Sequence, residues 1–392
     1  MDIVKTISDW VDEHRQDMLD LLADLIAART ENPPGNESAA ADVLEDFLNR
    51  RGIASTRHEA APGRTNLLAT IGEGGQSLLM AGHLDVVPAG DGWTRPPFEA
   101  TFENGLVYGR GVADNKGPTA AVALSGACVK ACFDLAGRLI VAGVADEERG
   151  SALGLEYLLD ENLVNADAAV IPDIAGYMTK IDIAEKGIMA VEIISHGKQA
   201  HASRPQEGVN AIWNLIAALH RLGERGLPAA RHSLLTPPTH NLGQIAGGAA
   251  PNIVPAKASA VLDIRFLPGQ SCDDMLDHLQ RILDETVEAL PGARYEKKLI
   301  MTLPPAQTPA DNRLVTLIQG AVRDSVGREA KTVGIGGTTV AKSFMLRGVP
   351  AVGFGAGSDH VGHMADEYIE VDELVAFAKV MALVAVRFLG VR

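Results

Sequence analysis

Residues 77–85 read SLLMAGHLD: an uncharged, mostly apolar run at 77–82 is followed at once by His83 and then by Asp85. Two later segments, 138–145 (RLIVAGVA) and 167–172 (DAAVIP), have the same character, and helical patterns at 118–132 and 151–160 separate the three runs. Short and nearly continuous apolar runs are typical of parallel strands that helices cover on both faces. The alternation therefore predicts an α/β fold that is built on a large, mainly parallel sheet.

The pattern changes after about residue 185, which predicts a smaller α+β domain inserted into the larger one. In segments 187–195 and 257–266, apolar and polar residues alternate more than in the first three runs, as they do in strands with one solvated face. We expect the large domain at 1–185 and 296–392 and the inserted domain at 186–295. Helical patterns are found at 8–29 (with Ser8 as the N-cap), 38–51, 209–222, 273–290, 312–327 and 371–389, and a short strand at 351–355.

Composition narrows the class of protein. The formal net charge of −15 argues against a nucleic-acid partner, because an acidic protein repels phosphate backbones. No stretch approaches the ~20 apolar residues of a membrane span, and the N-terminus lacks the basic start and apolar run of a signal peptide. Cysteines are sparse and odd in number, which favours a reducing compartment. We therefore expect a cytoplasmic protein that does not associate with membranes.

Acidic residues, together with one histidine, follow the three predicted strands directly. They are His83 and Asp85, then Asp146, Glu147 and Glu148, and then Asp173, while Asp114 directly precedes a helix. Because ligands of open α/β sheets bind outside the carboxyl ends of the strands, we expect these side chains to meet at one edge. Imidazole and carboxylate donors without a thiolate suit zinc, cobalt or manganese, and cations would relieve the repulsion among the carboxylates. In the adjacent glutamates, one can bind metal while its neighbour stays free as a base.

Five ordered motifs connect these residues to a known family. They are 80–88 (MAGHLDVVP), 108–117 (YGRGVADNKG), 146–151 (DEERGS), 201–205 (HASRP) and 363–368 (HMADEY). Over essentially its whole length the chain resembles the dinuclear-metal amidohydrolases and peptidases that include aminoacylase, acetylornithine deacetylase, succinyl-diaminopimelate desuccinylase and glutamate carboxypeptidase. The resemblance implies that the large domain is catalytic and that the inserted domain serves as a lid and a dimerisation surface.

The resemblance also implies two divalent metal ions, with zinc expected and cobalt or manganese as alternatives. The implied ligands are His83, Asp114, Glu148, Asp173 and His363, with Asp114 bridging the two ions. Asp85 would orient His83, and Glu147 would be the general base. His360 competes with His363 for the last ligand position, but only His363 is followed by the family's Asp-Glu pair.

Further site residues are implied for the inserted domain and the loop after it. His201 would stabilise the tetrahedral oxyanion, reaching across a homodimer, and the alternative is a turn or cap residue. Asn252 and Arg265 match positions that hold polar groups or the carboxylate of the substrate, although Arg265 could equally form an ion pair on a strand face. Gly336 and Gly337 lie in a loop where the backbone would approach the substrate.

The implied reaction is hydrolysis of the amide bond of an N-acyl amino acid or a small peptide-like substrate that carries a carboxylate, by a metal-activated water. A dipeptidase or carboxypeptidase and a deaminase acting on the same site remain alternatives, as does a non-catalytic metal- or ligand-binding homologue. A binding protein has no need of a spare base, so Glu147 argues against the last of these. Val340 and Asp173 depart from the residues that many relatives have there, which weakens the transfer of any one relative's substrate.

Overall fold

The computed structural model describes residues 2–392, and the chain divides into two compact units. The first unit comprises the residues up to Ile183, Thr308–Val333 and Thr339–Arg392. The second unit comprises Ala184–Gln307 and Gly334–Thr338. No helix among the described residues has both the length and the apolar character needed to cross a lipid bilayer.

The helices and strands follow one another in an order that alternates in the first half of the chain. In chain order they are α1 (Ile3–Glu13), α2 (Arg15–Ala27), α3 (Glu37–Asn49), β1 (Ser55–Glu59), β2 (Thr65–Ile71), β3 (Ser77–His83), β4 (Thr101–Glu103), β5 (Leu106–Tyr108), α4 (Lys116–Cys132), β6 (Arg138–Val144), α5 (Leu155–Asp160), β7 (Ala168–Ile171), β8 (Lys180–Glu185), β9 (Gly187–His196), α6 (Ala211–Arg225), β10 (Thr239–Gly247), β11 (Lys257–Phe266), α7 (Cys272–Ala289), β12 (Arg294–Leu303), β13 (Ala306–Gln307), α8 (Arg313–Val326), β14 (Lys331–Ile335), α9 (Ala341–Leu346), β15 (Ala351–Gly353), β16 (Tyr368–Glu370) and α10 (Val371–Leu389).

The large sheet has the order β1-β2-β6-β3-β7-β15-β8, and its centre is parallel. β3 runs parallel to both β6 and β7, and β15 runs parallel to β7. All residues of β3 and β7 are buried, as expected for strands that are covered on both faces. The predicted α/β class and parallel core are therefore confirmed, and the carboxyl ends of β3, β6 and β7 lie side by side.

Helix α4 is buried along most of its length and packs against α10 and α2. Its first turn comes very close to β3, because a Cβ atom added at Gly82 would lie 2.1 Å from the hydroxyl oxygen of Thr119. A glycine at this position therefore allows the approach. As a result, the loop before α4, which carries Asp114, reaches the end of β3.

Two predicted helices begin and end elsewhere than expected. The pattern at 8–29 is two helices, α1 and α2, which are separated at His14, where the backbone is not helical. The N-cap of α1 is Asp2, because its carboxylate accepts the amide of Lys5, and Ser8 lies within the helix. The pattern at 151–160 becomes helical only at α5, because Ser151 has a φ of 61° and its hydroxyl accepts the amide of Leu155 from outside the helix.

The second unit is an antiparallel sheet of order β10-β11-β9-β12, with α6 and α7 packed on one face. β11 alternates buried and partly exposed residues, in agreement with the period of its sequence. The strands β10 and β12 were not predicted, since most of their residues are exposed and their patterns are weak. β12 begins beside the expected boundary at residue 295 and pairs with β9, so the unit continues to Gln307.

Candidate dinuclear metal centre

The carboxyl ends of the parallel strands bring together a first group of metal-ligand side chains. His83 ends β3, Asp173 lies just beyond β7, and Asp114 lies in the loop before α4. The Nε2 atom of His83 is 2.9 Å from Oδ1 of Asp114 and 3.8 Å from Oδ1 of Asp173. One potential ligand atom from each residue lies within 4.8 Å of the other two, which is close enough to share one cation.

A second group shares Asp114 with the first. The Nε2 atom of His363 is 3.1 Å from Oδ2 of Asp114 and 3.2 Å from Oε1 of Glu148. The two oxygens of Asp114 therefore face different groups, which is the arrangement of a carboxylate that bridges two ions. His363, whose ring belongs to this group, has a φ of 64°, a backbone conformation that is rare outside glycine and that often occurs at functional sites. His360 is 91% exposed and lies outside both groups.

Asp85 connects the first histidine to the glutamate pair. The Nδ1 atom of His83 lies 2.9 Å from the backbone oxygen of Asp85 and 3.5 Å from its carboxylate. The carboxylate in turn accepts the backbone amides of Glu147 at 3.1 Å and Glu148 at 3.2 Å. A donor at Nδ1 leaves Nε2 free to bind metal, and the same carboxylate holds the turn that carries both glutamates.

The site gathers more carboxylates than cationic side chains, and this crowding, together with burial, shifts the pKa values of several groups. Burial, together with the negative charge of Asp173, raises the pKa of the half-buried Glu147 carboxyl well above its ordinary value. Burial also raises the pKa of Asp173 to about 6, although the hydrogen bond with His83 acts in the opposite direction. For Asp114, the hydrogen bonds with His363 and His83 outweigh burial and keep its pKa below the ordinary value. Crowded carboxylates with two imidazoles and no thiolate fit two divalent cations.

A buried network behind the glutamate turn contains residues to which the sequence assigned no role. Asn32 donates to the carboxylates of Asp85 at 2.9 Å and Asp146 at 3.1 Å. The guanidinium of Arg64 bonds both oxygens of Glu37 at 2.6 and 2.7 Å, and it bonds Asp146 at 2.8 Å. In the sequence, Asn32 precedes two prolines and a glycine, a pattern that by itself indicates only the end of a helix. The network therefore holds Asp146, the residue directly before the two glutamates, and Asp85, which accepts their backbone amides.

The remaining predicted site residues belong to the second unit and form two pairs there. His201 and Asn252 lie together: His201 forms an isolated bridge with Ile253, and the amide of Ala202 donates to the Asn252 oxygen at 3.0 Å. Arg265 forms an ion pair with Asp263 at 2.7 Å, and it also donates to the backbone oxygen of Gly336 at 3.3 Å.

Gly336 and its neighbour Gly337 have open space where a Cβ atom would lie. Packing against the protein therefore does not explain why both positions are glycine.

Comparison with known proteins places the whole arrangement in context. The sequence model of peptidase family M20/M25/M40 matches residues 79–387. Acetylornithine deacetylase from Klebsiella pneumoniae (strain 342) is 34% identical over 331 residues, covering 81% of this chain and 80% of that protein. The structure of aminopeptidase PepT from Bacillus cereus superposes with a TM-score of 0.78 at 21% identity, covering 94% of this chain and 97% of that one. The YXEP protein of Bacillus subtilis, described as a dinuclear metal-binding peptidase, superposes with a TM-score of 0.73 at 16% identity, covering 96% and 99%.

Proposed function

This chain belongs to peptidase family M20/M25/M40, and from that premise we propose that it removes the acyl group of a small N-acylated amino acid. As a member of the family it is a metal-dependent hydrolase that acts on amide bonds. The choice of an acylated amino acid is supported by the identity of 34% to an acetylornithine deacetylase over most of both chains. The observation that carries the proposal is the carboxylate of Asp114, which is shared between two ligand groups beside Glu147.

We propose that His83, Asp114 and Asp173 hold one divalent cation and that Asp114, Glu148 and His363 hold a second. The two groups, their shared carboxylate and the excess of negative charge support this assignment. The dinuclear site in the description of the Bacillus subtilis protein supports it as well. Zinc is the proposed ion, with cobalt or manganese as alternatives, because the donors are imidazoles and carboxylates. Bound cations would polarise the amide carbonyl and increase the acidity of the attacking water.

Glu147 is the proposed general base. Its carboxylate would take a proton from the water as the oxygen attacks the amide carbon, and it would deliver that proton to the leaving nitrogen as the carbon–nitrogen bond breaks. Burial raises the pKa of this carboxyl, which suits a group that must both accept and return a proton. Asp85 supports this role, because its carboxylate holds the backbone amide of Glu147.

His201 is the proposed donor to the oxyanion that forms on the amide oxygen. Its Nδ1 atom accepts the backbone amide of Ser203 at 3.1 Å, so in the neutral ring the proton lies on Nε2. The residue is exposed, and a fixed N–H donor of this kind is what a developing oxyanion requires. We further propose that Asn252, Arg265, Gly336 and Gly337 contact the polar groups and the carboxylate of the substrate. The second unit would then serve as the lid of the catalytic unit.

We also propose a cytoplasmic homodimer. The second unit exposes large apolar side chains, among them Trp213 at 68%, Ile245 at 56% and Ile300 at 53%, which a partner subunit would cover. The three cysteines are free, which suits a reducing compartment.

A substrate panel tests the reaction. The protein is loaded with zinc or cobalt and assayed for release of free amine from N-acetyl and N-succinyl amino acids and from dipeptides, beside Glu147→Gln. We expect turnover of N-acyl amino acids, and we expect the variant to lose about 10²–10⁴-fold in kcat while it retains both ions. Turnover of dipeptides alone would replace the deacylase by a dipeptidase. Tight metal binding without any turnover would indicate a binding protein, and full activity of the variant would remove Glu147 from the mechanism.

A further inference from the structure

We propose that Arg110 and Glu367 are positioning residues that set the distance between Asp114 and His363. The two residues form a buried ion pair to which the mechanism above assigns no role. This inference rests on the proposed metal centre, because the loop before α4 carries Asp114, the shared ligand, and segment 363–367 carries His363, the last ligand. The pair is almost fully buried, with side-chain exposures of 1% and 0%. Neither side chain belongs to either ligand group.

Glu367 holds the loop of the shared ligand through its backbone. One oxygen of its carboxylate accepts the amides of Ala113 at 2.8 Å and Asp114 at 3.1 Å. The other oxygen accepts the amide of Gly111 at 3.1 Å and a guanidinium nitrogen of Arg110 at 2.5 Å. A single carboxylate thus accepts three of the four backbone amides from Gly111 to Asp114, and this fixes where the Asp114 side chain begins.

Arg110 connects the segment that carries His363 to the loop that ends at Asp114. Its other terminal nitrogen donates to the backbone oxygens of His363 at 3.3 Å and Ala89 at 3.2 Å. The guanidinium also lies 5.1 Å from the centre of the Trp93 ring. Glu367 lies only four residues after His363, so Arg110 bonds both ends of segment 363–367: the backbone oxygen of His363 at one end and the carboxylate of Glu367 at the other.

The geometry predicts that replacing Glu367 and replacing Arg110 affect the two cations differently. Asp114 is common to both ligand groups, so a shift of its loop disturbs both cations. His363 belongs to one group only, so a shift of its segment disturbs only the cation shared by Asp114, Glu148 and His363. If the ion pair only stabilised the fold, replacing either residue would lower the stability of the protein without changing the affinity for one ion more than for the other.

Three variants of the full-length protein test the proposal. Glu367→Gln keeps the shape of the side chain but loses the charge and replaces one accepting oxygen by a donor. Arg110→Lys keeps the charge beside Glu367 but cannot reach the His363 oxygen at the same time. Glu373→Gln is the matched control, because Glu373 is a buried carboxylate of the same unit that is paired with Arg328 at 2.7 Å, and its backbone bond is to Gly357, six residues before His363. Zinc affinities are measured by competition with a chromophoric chelator, and unfolding by urea is measured on the same samples.

We expect Glu367→Gln to lower the affinity for both zinc ions by about 10–100-fold, the usual effect of removing a group that orients ligands. Arg110→Lys should lower the affinity for the zinc ion held by Asp114, Glu148 and His363 by a similar factor and leave the affinity for the other ion unchanged. Glu373→Gln should lower the stability of the protein and leave both zinc affinities unchanged. Equal losses of affinity in Glu373→Gln, or wild-type affinities in Arg110→Lys, would overturn the proposal even if Glu367→Gln failed to fold. A wild-type protein that retains no zinc would instead refute the proposed function.

Discussion

Arg64→Ala should be one of the most destabilising single changes in the first unit. The guanidinium makes three charge-assisted hydrogen bonds of 2.6, 2.7 and 2.8 Å to Glu37 and Asp146. The side chains of the two acids are 0% and 8% exposed, and that of Arg64 is 11% exposed. Removal of the cation therefore leaves two buried carboxylates without their countercharge. Breaking a buried pair by removing one partner costs about 3–5 kcal/mol of unfolding free energy.

Arg57 provides a control with the same chemistry at the surface. It also bonds two carboxylates, Glu45 and Asp42, through three contacts between 2.5 and 2.8 Å. Its side chain is 36% exposed and that of Asp42 is 65% exposed, so water replaces the lost partner. Exposed ion pairs contribute only about 0–1 kcal/mol, and Arg57→Ala should therefore change stability by no more than that.

The assay is equilibrium unfolding in urea, followed by circular dichroism and by tryptophan fluorescence. Two of the three tryptophans, Trp10 and Trp93, lie in the first unit, and Trp213 lies in the second, so a Trp213→Phe background restricts the fluorescence signal to the first unit. We expect the midpoint of the first-unit transition to fall sharply in Arg64→Ala and hardly at all in Arg57→Ala. Equal effects of the two substitutions would show that burial of the network does not determine its strength.

Three further outcomes follow from buried or crowded positions. Asn32→Ala removes hydrogen bonds to two carboxylates, a type of bond worth about 1.5–3 kcal/mol each, so urea unfolding should show a clear loss of stability; an unchanged midpoint would contradict the bonding described. Burial raises the pKa of the Cys128 thiol, and the residue is 0% exposed, so iodoacetamide followed by mass spectrometry should label it only after unfolding; labelling of the folded protein would refute this placement. Gly111→Ala should destabilise more than Gly105→Ala, since both have positive φ but a Cβ at Gly111 would lie 2.7 Å from a Val86 methyl while Gly105 faces open space; similar thermal midpoints would show that the crowding has no cost.

The sequence alone determined the class of the fold and the class of the reaction. Apolar runs at 77–82, 138–145 and 167–172 are local signals of buried strands, and the structure confirms them as neighbouring parallel strands of one sheet. The residues directly after them were expected at one edge, because parallel strands end on the same side. The motifs around His83, and those that follow it, were enough to predict the family, which the comparison confirms.

Helix boundaries were less predictable than the strands. At His14 and Ser151 the apolar period continues while the backbone leaves the helix, because hydrogen bonds of individual side chains compete with helical ones: the His14 ring bonds the Trp10 oxygen, and the Ser151 hydroxyl accepts the Leu155 amide. Exposed strands such as β10 carry little apolar signal, since neither face is fully buried.

Only the tertiary structure decided how the site is held. Arg110 and Glu367 lie 257 positions apart, and Arg64 and Asp146 lie 82 apart, so no local pattern connects either pair. The opposed directions of the two Asp114 oxygens and the bonding of the His83 ring to the Asp85 backbone likewise depend on where loops meet. Periodicity along a chain reports which residues avoid water, whereas the pairing of a buried charge is set by whichever distant segment the fold packs against it.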